Sequence, residues 1–370
     1  MADFSIPFFP PAAQRETQRA AVLAAMARVY DAGWYVLGEE VAGFEREYAA
    51  ATGTAYAVGV GNGLEALHLS LRALGVRPGD EVLVPSNTYV ATWLAVSHAG
   101  ATPVPVEPDP ATSNLDPARL AAALTSRTRG IIPVHLYGQP CDMAAIGAFA
   151  QAHRLWVVED NAQAQGATWQ GQLTGSFGQL NATSFYPTKN LGALGDGGAI
   201  STNDADLAAA VQRLRNYGTT QRYVSEIQGY NSRLDELQAA VLRTKLPHLP
   251  VWTQQRRQLA AWYNEYLANI PGLCLPFVAA GAESVWHLYV VHTPRRDELR
   301  QHLAAASIET LVHYPVPPHR QPAYAGLHLP AQPIAEELAI TCLSLPLWPG
   351  MTEAMIARVA GEVRRLMRTT

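Results

Sequence analysis

The chain has 370 residues, of which 48% are hydrophobic and 16% charged, and its net charge is −4. This length predicts either two or three domains or one large α/β domain with a smaller partner. No long run of like charge occurs, which argues against a nucleic-acid partner, and no apolar run reaches about 18 residues, which argues against a membrane span.

The N-terminus has no basic start and no long apolar stretch, so we expect no signal peptide. Helical patterns at 14–30 and 41–51 flank a turn at 33–38. Short apolar runs then alternate with helical patterns. Strands are predicted at 81–84, 103–107, 131–136 and 155–159, and helices at 64–74, 91–98, 116–124 and 143–153. This alternation predicts a largely parallel sheet with helices on both faces, which binds ligands at the carboxyl ends of its strands.

The pattern changes after about residue 246, where Pro247 and Pro250 interrupt the chain. Helices are predicted at 253–267, 296–305 and 352–367, a strand at 286–292, and a proline-rich segment at 314–322. We therefore expect a large domain at 1–249 and a smaller C-terminal α/β domain at 250–370.

Lys189 lies in the segment SFYPTKNLGALGDGG, with Ser184 five residues upstream and glycines and an aspartate downstream. Glycines let the backbone approach a bulky ligand closely. A lysine desolvated in such a loop loses its proton more easily and can attack a carbonyl, for example the aldehyde of pyridoxal phosphate. The alternative is a solvated lysine in a surface turn.

Asp160 and Gln163 follow the apolar run LWVVED and should lie at the carboxyl end of a strand. A carboxylate there could keep a pyridine nitrogen protonated, or it could simply cap a following helix. Tyr89 follows another strand end and could stack on a cofactor ring or pack in the core.

The segment Gly59–Val76 passes from a strand through a glycine-rich turn into a helix whose free N–H groups could hold a phosphate. An ordinary strand–helix turn remains possible. His313 and His319 are separated by prolines and have no acid or cysteine beside them, so we expect packing or substrate contact and no metal. The distant cysteines Cys141, Cys274 and Cys342 suggest neither a metal nor disulfides, which fits a cytoplasmic protein.

Taken together, the motifs resemble the DegT–DnrJ–StrS family of nucleotide-sugar aminotransferases over nearly the whole chain. The matching segments are GWYVLGEEVAGFEREYA (33–49), GNGLEAL, VPSNTYVAT, VVEDNAQAQGA, the lysine loop and GYNSRLDELQAAVL (229–242). The resemblance implies the aspartate-aminotransferase-like fold type I of pyridoxal-phosphate enzymes. That fold has a mostly parallel seven-stranded sheet flanked by helices, with a smaller C-terminal α/β domain.

The resemblance also implies roles for single residues. Lys189 would form the Schiff base with pyridoxal 5'-phosphate and later move the proton. Asp160 would pair with the pyridinium nitrogen, Gln163 would hydrogen-bond the ring oxygen, and Tyr89 would stack on the ring.

The phosphate would be held by Ser184 and by the backbone of Gly63 and Leu64. Asn62 and Gly63 replace the family's usual serine or glycine–threonine pair, which leaves the role of the Asn62 side chain open. Asn231 would reach the phosphate of the neighbouring subunit in a homodimer whose active sites are shared.

The flanks of the lysine resemble those of enzymes that act on dTDP-linked 3-keto-6-deoxy sugars. Tyr186 and the GALGDGG tail replace a histidine and a TGEGG-like tail that are typical of relatives acting at carbon 4. Further substrate residues are expected among Tyr217, Arg222, His313 and Tyr314, and cations for the pyrophosphate among Arg28, Arg222 and Arg233.

The implied reaction moves the amine of L-glutamate, through pyridoxamine phosphate, to the C3 keto group of the sugar. It yields a dTDP-3-amino-3,6-dideoxyhexose and 2-oxoglutarate. Three alternatives remain: a C4 or UDP-sugar aminotransferase of the same family, a sugar dehydratase of the same fold, and a non-catalytic regulator. Lys189 argues against the dehydratase, since those relatives carry histidine there, and the intact site residues argue against the regulator.

Overall fold

The computed structural model describes residues 5–9 and 11–368. Its helices are α1 Pro11–Ala32, α2 Glu39–Thr52, α3 Gly63–Ala73, α4 Val90–His98, α5 Leu120–Ala123, α6 Met143–His153, α7 Ala205–Leu214, α8 Glu236–Lys245, α9 Leu249–Leu267, α10 Arg296–Ala305, α11 Pro333–Thr341 and α12 Glu353–Met367. Its strands are β1 Tyr56–Val60, β2 Glu81–Pro85, β3 Thr102–Val106, β4 Thr128–Ile131, β5 Trp156–Asp160, β6 Thr168–Trp169, β7 Gln172–Leu173, β8 Leu180–Ser184, β9 Gly198–Thr202, β10 Thr219–Gln221, β11 Val224–Ser225, β12 Ala282–Glu283, β13 Tyr289–His292 and β14 Cys342–Leu345.

Seven of these strands form one sheet in the order β1-β9-β8-β5-β4-β2-β3. The pairs from β8 through β5, β4 and β2 to β3 are parallel, whereas β9 runs antiparallel to both β1 and β8. Every residue of β2 and of β9 is buried, as expected for strands covered on both faces. The prediction of a mostly parallel seven-stranded sheet flanked by helices is confirmed.

Several sequence predictions have wrong boundaries. The strand expected at 286–292 is Tyr289–His292, and the helix expected at 253–267 already begins at Leu249. The strand expected at 131–136 lies at Thr128–Ile131, and beyond it Val134 makes only an isolated bridge to Asp160. Proline lacks an N–H, so Pro133 ends regular pairing at this point. The helix expected at 116–124 is a 3-10 turn, Pro117–Arg119, followed by the single turn of α5.

A second hydrophobic core lies outside the sheet. It combines residues of α9, α10, α12, β13 and β14, among them Tyr263, Tyr289 and Leu299, and also includes Ile6 from the N-terminal segment. Ile6 bridges Ile308 of this core. This core thus joins the N-terminal segment to C-terminal elements, and the division of the chain near residue 249 stays a prediction.

The parallel strands β1, β5 and β8 bring three segments to one edge of the sheet. Their carboxyl ends lead into the start of α3, the turn at 161–167 and the lysine loop at 185–197. Within the described residues, no helix is both long and apolar enough to cross a membrane.

Candidate active site

Lysine is rare in this chain, which contains only Lys189 and Lys245. Lys189 lies in the loop after β8, where its N–H donates to the Tyr186 carbonyl at 2.8 Å. Burial lowers the pKa of Lys189 from 10.5 to about 8, and the negative charge of Asp160 opposes that shift. Roughly a tenth of such a lysine is neutral at pH 7, so it is a competent nucleophile toward a carbonyl carbon.

Lys245 has the same pKa but different surroundings. Burial lowers its pKa to about 8 as well. Its Nζ donates to the carbonyl of Gly192 at 2.6 Å, so it anchors the lysine loop from the end of α8. The pKa therefore does not distinguish the two lysines, whereas the neighbouring acid does, because Asp160 acts on Lys189.

Asp160 is the buried last residue of β5. Its Oδ2 accepts from Thr92 Oγ1 at 2.9 Å, and its Oδ1 accepts from the Ala162 N–H at 3.2 Å. Burial raises its pKa, and these two hydrogen bonds and Lys189 counteract the rise. In the described part of the chain, a turn and then β6 follow β5 directly, so Asp160 caps no helix and that alternative is wrong. A buried carboxylate that lacks full compensation is suited to a cationic partner such as a protonated pyridine nitrogen.

The turn between β1 and α3 forms an anion-binding helix start. The Oδ1 of Asn62 accepts from the Glu65 N–H at 2.9 Å, so this side chain caps the helix. The first-turn N–H groups of Gly63 and Leu64 have no acceptor within the helix, and the helix dipole favours a negative group beside them. Ser184 lies against this turn, since a Cβ on Gly63 would come within 2.6 Å of the Ser184 Cβ.

We expect Gly63→Ala to weaken the binding of pyridoxal phosphate by about tenfold or more. The added methyl group would push Ser184 away from the helix start. Gly147→Ala is the matched control, because a Cβ at Gly147 meets nothing within 4 Å. Titration of both variants with the cofactor checks the expectation, and equal affinities for Gly63→Ala and the wild type would contradict it.

A polar and aromatic group surrounds Gln163. Its Oε1 accepts from the Tyr137 N–H at 2.7 Å, and its Nε2 donates to the Tyr314 hydroxyl at 3.0 Å. The rings of Tyr89 and Tyr314 lie 5.2 Å apart between centroids. Tyr89 is 54% exposed, so it is no packed core aromatic and is free to cover a ligand. Four segments that are distant in sequence thus meet beside Asp160.

His313 contacts the same group through its backbone, because its carbonyl accepts from the Tyr137 hydroxyl. Burial and the charge of Lys189 lower the pKa of His313 to about 4, so the ring is neutral. His319 instead hydrogen-bonds Glu336 at 2.9 Å. The two histidines therefore have different partners, and the described residues contain no cluster of potential metal ligands.

The other predicted substrate residues are exposed. Tyr186 is 52% exposed, and the Tyr217 ring lies 5.4 Å below the guanidinium of Arg233. Arg222 lies 5.0 Å from the centre of the Tyr223 ring. Asn231 is exposed as well, and its backbone pairs with Asn216.

Arg28, the remaining candidate for the pyrophosphate, is exposed and pairs with Glu40 at 3.5 Å. Sequence reasoning missed Thr92 and Tyr137, which position Asp160 and Gln163. Thr92 lies one helical turn after Tyr89 at the start of α4, so helical spacing was a usable signal for it. Nothing in the sequence around Tyr137 points to its contacts.

Comparison with known proteins shows the family of this protein. Residues 16–364 match the DegT/DnrJ/EryC1/StrS aminotransferase family, and the chain belongs to it. Members of this family depend on pyridoxal phosphate. The family assignment made from the motifs is therefore confirmed.

Particular relatives cover nearly the whole chain. The dTDP-3-amino-3,4,6-trideoxy-alpha-D-glucose transaminase of Streptomyces venezuelae is 53% identical over 97% of this chain and 95% of its own. The dTDP-3-amino-3,6-dideoxy-alpha-D-galactopyranose transaminase of Aneurinibacillus thermoaerophilus is 48% identical over 95% of each chain. The crystal structure of S. venezuelae DesV superposes with a TM-score of 0.97, at 52% identity and 99% coverage of both chains.

The residues present fit the family's cofactor. The helix start at Gly63 is a phosphate cradle that a single Cβ would disturb, and Asp160 is a buried carboxylate available to a cation. Lys189 lies under the influence of that carboxylate.

Proposed function

We propose that this protein transfers the amino group of L-glutamate to the C3 keto group of a dTDP-linked 3-keto-6-deoxyhexose. The products are a dTDP-3-amino-3,6-dideoxyhexose and 2-oxoglutarate, and the proposed compartment is the cytoplasm. The observation that carries the proposal is the high identity, over almost the full chain, to two transaminases of dTDP-3-amino sugars.

Each of the site residues would have a separate role in this reaction. Bound pyridoxal phosphate would supply an aldehyde for the amine and a ring that accepts electrons. Asp160 would hold the proton on the ring nitrogen, and Gly63, Leu64 and Ser184 would hold the phosphate. Lys189 Nζ, whose pKa of about 8 suits proton exchange near neutral pH, would carry a proton between the cofactor and carbon 3 of the sugar.

Product analysis tests the position of the amine. Protein loaded with pyridoxamine phosphate is incubated with dTDP-3-keto, dTDP-4-keto and UDP-linked keto sugars of gluco and galacto configuration. We expect the dTDP-3-keto sugars alone to be converted efficiently, with NMR placing the new amine on carbon 3. An amine on carbon 4, or a preference for UDP-linked sugars, would instead support the corresponding alternative within the family.

We further propose a homodimer that shares its active sites. Large aromatic side chains are exposed in two groups, one at the turn after α1 and one around β10 and β11. Tyr30 is 74% exposed, Trp34 65% and Tyr223 88%. Exposed aromatic patches of this kind commonly mark protein interfaces. Asn231 lies in the chain segment after the second group and is free to reach a neighbouring subunit.

A subunit-mixing experiment tests this sharing. Lys189→Ala and Asn231→Ala chains are mixed, dissociated and reassociated at limiting cofactor. In the hybrid dimer, one site combines the intact Lys189 of one chain with the intact Asn231 of the other. We expect about a quarter of the wild-type activity from a statistical mixture of such dimers. If each chain uses its own Asn231, mixing restores nothing beyond the activity of Asn231→Ala alone.

A further inference from the structure

Arg256 of α9 is a buried cation that has no acidic partner among the described residues. It is 2% exposed. Its Nη1 donates to three carbonyl oxygens, those of Trp286 (3.3 Å), His287 (3.5 Å) and Leu347 (3.1 Å). Burial lowers its pKa to about 10, which leaves it charged at neutral pH. No carboxylate of the described residues lies within 4 Å of it.

One edge of this guanidinium remains open. Within the described residues, Nε and Nη2 donate no hydrogen bond. These two nitrogens form the side-on edge that binds both oxygens of a carboxylate in parallel. The three carbonyl contacts at Nη1 fix the plane of the group and so pre-orient that edge. An unpaired charge of this kind is unfavourable in a protein interior unless a ligand completes it.

Arg256 also lines a cavity of about 350 Å³ next to the lysine loop. Thr188, which precedes Lys189 in the chain, is part of the lining, and so are His287 and His313. Both histidines are neutral, because burial and the charge of Lys189 lower their pKa values. The acid in the lining, Glu309, accepts from the Phe8 N–H at 2.8 Å and forms no ion pair with Arg256.

We propose that the Nε–Nη2 edge of Arg256 binds a carboxylate group of the amino donor. This inference rests on the proposed function, in which L-glutamate supplies the amine and leaves as 2-oxoglutarate. The cavity volume, at the low end of the usual 300–1,000 Å³, suits a five-carbon dicarboxylate better than a nucleoside diphosphate. A planar edge with two donors matches a planar carboxylate. Arg256 thus serves the glutamate half of the reaction, while the exposed arginines remain available to the sugar nucleotide.

The test measures binding of 2-oxoglutarate to protein loaded with pyridoxamine phosphate. Arg256→Met is expected to raise its dissociation constant about 100-fold and Arg256→Lys about tenfold, with little change in affinity for the dTDP-sugar product. Arg257→Met is the matched control, since Arg257 is partly exposed and paired with Glu283 at 3.1 Å. Its affinity for 2-oxoglutarate should equal that of the wild type.

A second ligand shows which of the two carboxylates of 2-oxoglutarate Arg256 binds. 2-Oxopentanoate keeps the carboxylate beside the keto group and lacks the distal one. If Arg256→Met weakens both ligands, the edge binds the carboxylate next to the keto group. If it weakens 2-oxoglutarate alone, the edge binds the distal carboxylate. Unchanged binding of both ligands, or a loss confined to the sugar nucleotide, overturns the proposal.

A structure of the wild type with 2-oxoglutarate keeps the proposal testable if the Arg256 variants do not fold. A carboxylate on Nε and Nη2 supports it, and a carboxylate bound elsewhere overturns it. Failure of the proposed function is distinguishable, because the wild type itself would then accept no amine from glutamate.

Discussion

Lys189→Ala is expected to abolish transamination and to leave the fold intact. Loss of a general base alone lowers rates by about 10²- to 10⁴-fold, and here the same amine also binds the cofactor covalently. Within the described residues, Lys189 belongs to no hydrophobic core cluster, so the melting temperature of the cofactor-free protein should change little. The measurement is the glutamate half-reaction, followed by the absorbance of the cofactor. Full turnover by this variant without an added amine would contradict the assignment.

Lys245→Met is the matched control for that variant. It removes the only other lysine, which has the same lowered pKa but no neighbouring acid. We expect a moderate loss of activity from a loosened loop, because Lys245 holds the Gly192 carbonyl. Covalent capture of pyridoxal phosphate should persist in Lys245→Met and vanish in Lys189→Ala.

The rate at which Lys189 captures pyridoxal phosphate should increase with pH. The neutral amine is the nucleophile, and burial lowers the pKa of Lys189 to about 8. Capture of the aldehyde by cofactor-free protein should therefore accelerate as the pH rises and level off above about 8. With an ordinary lysine, the rate of capture would continue to rise until the pH reached its usual pKa of about 10.4.

Asp160→Asn is expected to reduce the rate of transamination by about 100-fold, the effect of losing one strong hydrogen bond to a charged group. Asparagine keeps the shape of the side chain but cannot hold a proton on the ring nitrogen. The variant also removes the charge that opposes the pKa shift of Lys189. Its capture profile should therefore move to lower pH than that of the wild type. Unchanged turnover would show that Asp160 does not face the cofactor nitrogen.

The same variant should stabilise the cofactor-free protein. Burial raises the pKa of Asp160 above its unfolded value, so the folded state binds the proton more tightly. The stability linked to this proton is complete below the unfolded pKa and is lost as the pH rises through the folded pKa. As the pH rises, the wild type therefore loses this stability, whereas the asparagine side chain of the variant has no proton to lose. A thermal scan of both cofactor-free proteins checks this: the melting temperature of Asp160→Asn should be higher, and a lower one would contradict the electrostatic account.

The pattern of apolar residues predicted the parallel sheet, because β2, β3 and β5 are short apolar runs between helical patterns. It did not find β8 and β9, whose residues LNATS and GAIST are mostly small or polar. Both strands lie inside the sheet, between other strands, so their burial does not need a strong local apolar signal. The apolar run LWVVED located Asp160 correctly at the carboxyl end of a strand, and the glycine-rich segment located Lys189 correctly in a loop.

The contacts among side chains were less predictable. Tyr89, Gln163 and Tyr314 meet through tertiary folding, and spacing along the chain gives no sign of it. Arg256 is an instructive exception. It follows Leu249 and Thr253 on the buried face of α9, so the helical period placed it inside although its neighbour Arg257 is partly exposed. The absence of an acidic partner became visible only in the structure.

Reductive trapping shows directly which lysine carries the cofactor. The protein is loaded with pyridoxal phosphate, reduced with borohydride, digested and mapped by mass spectrometry. With only two lysines in the chain, the result discriminates clearly. We expect the reduced cofactor on Lys189. An adduct on Lys245, or none on either lysine, would contradict this expectation.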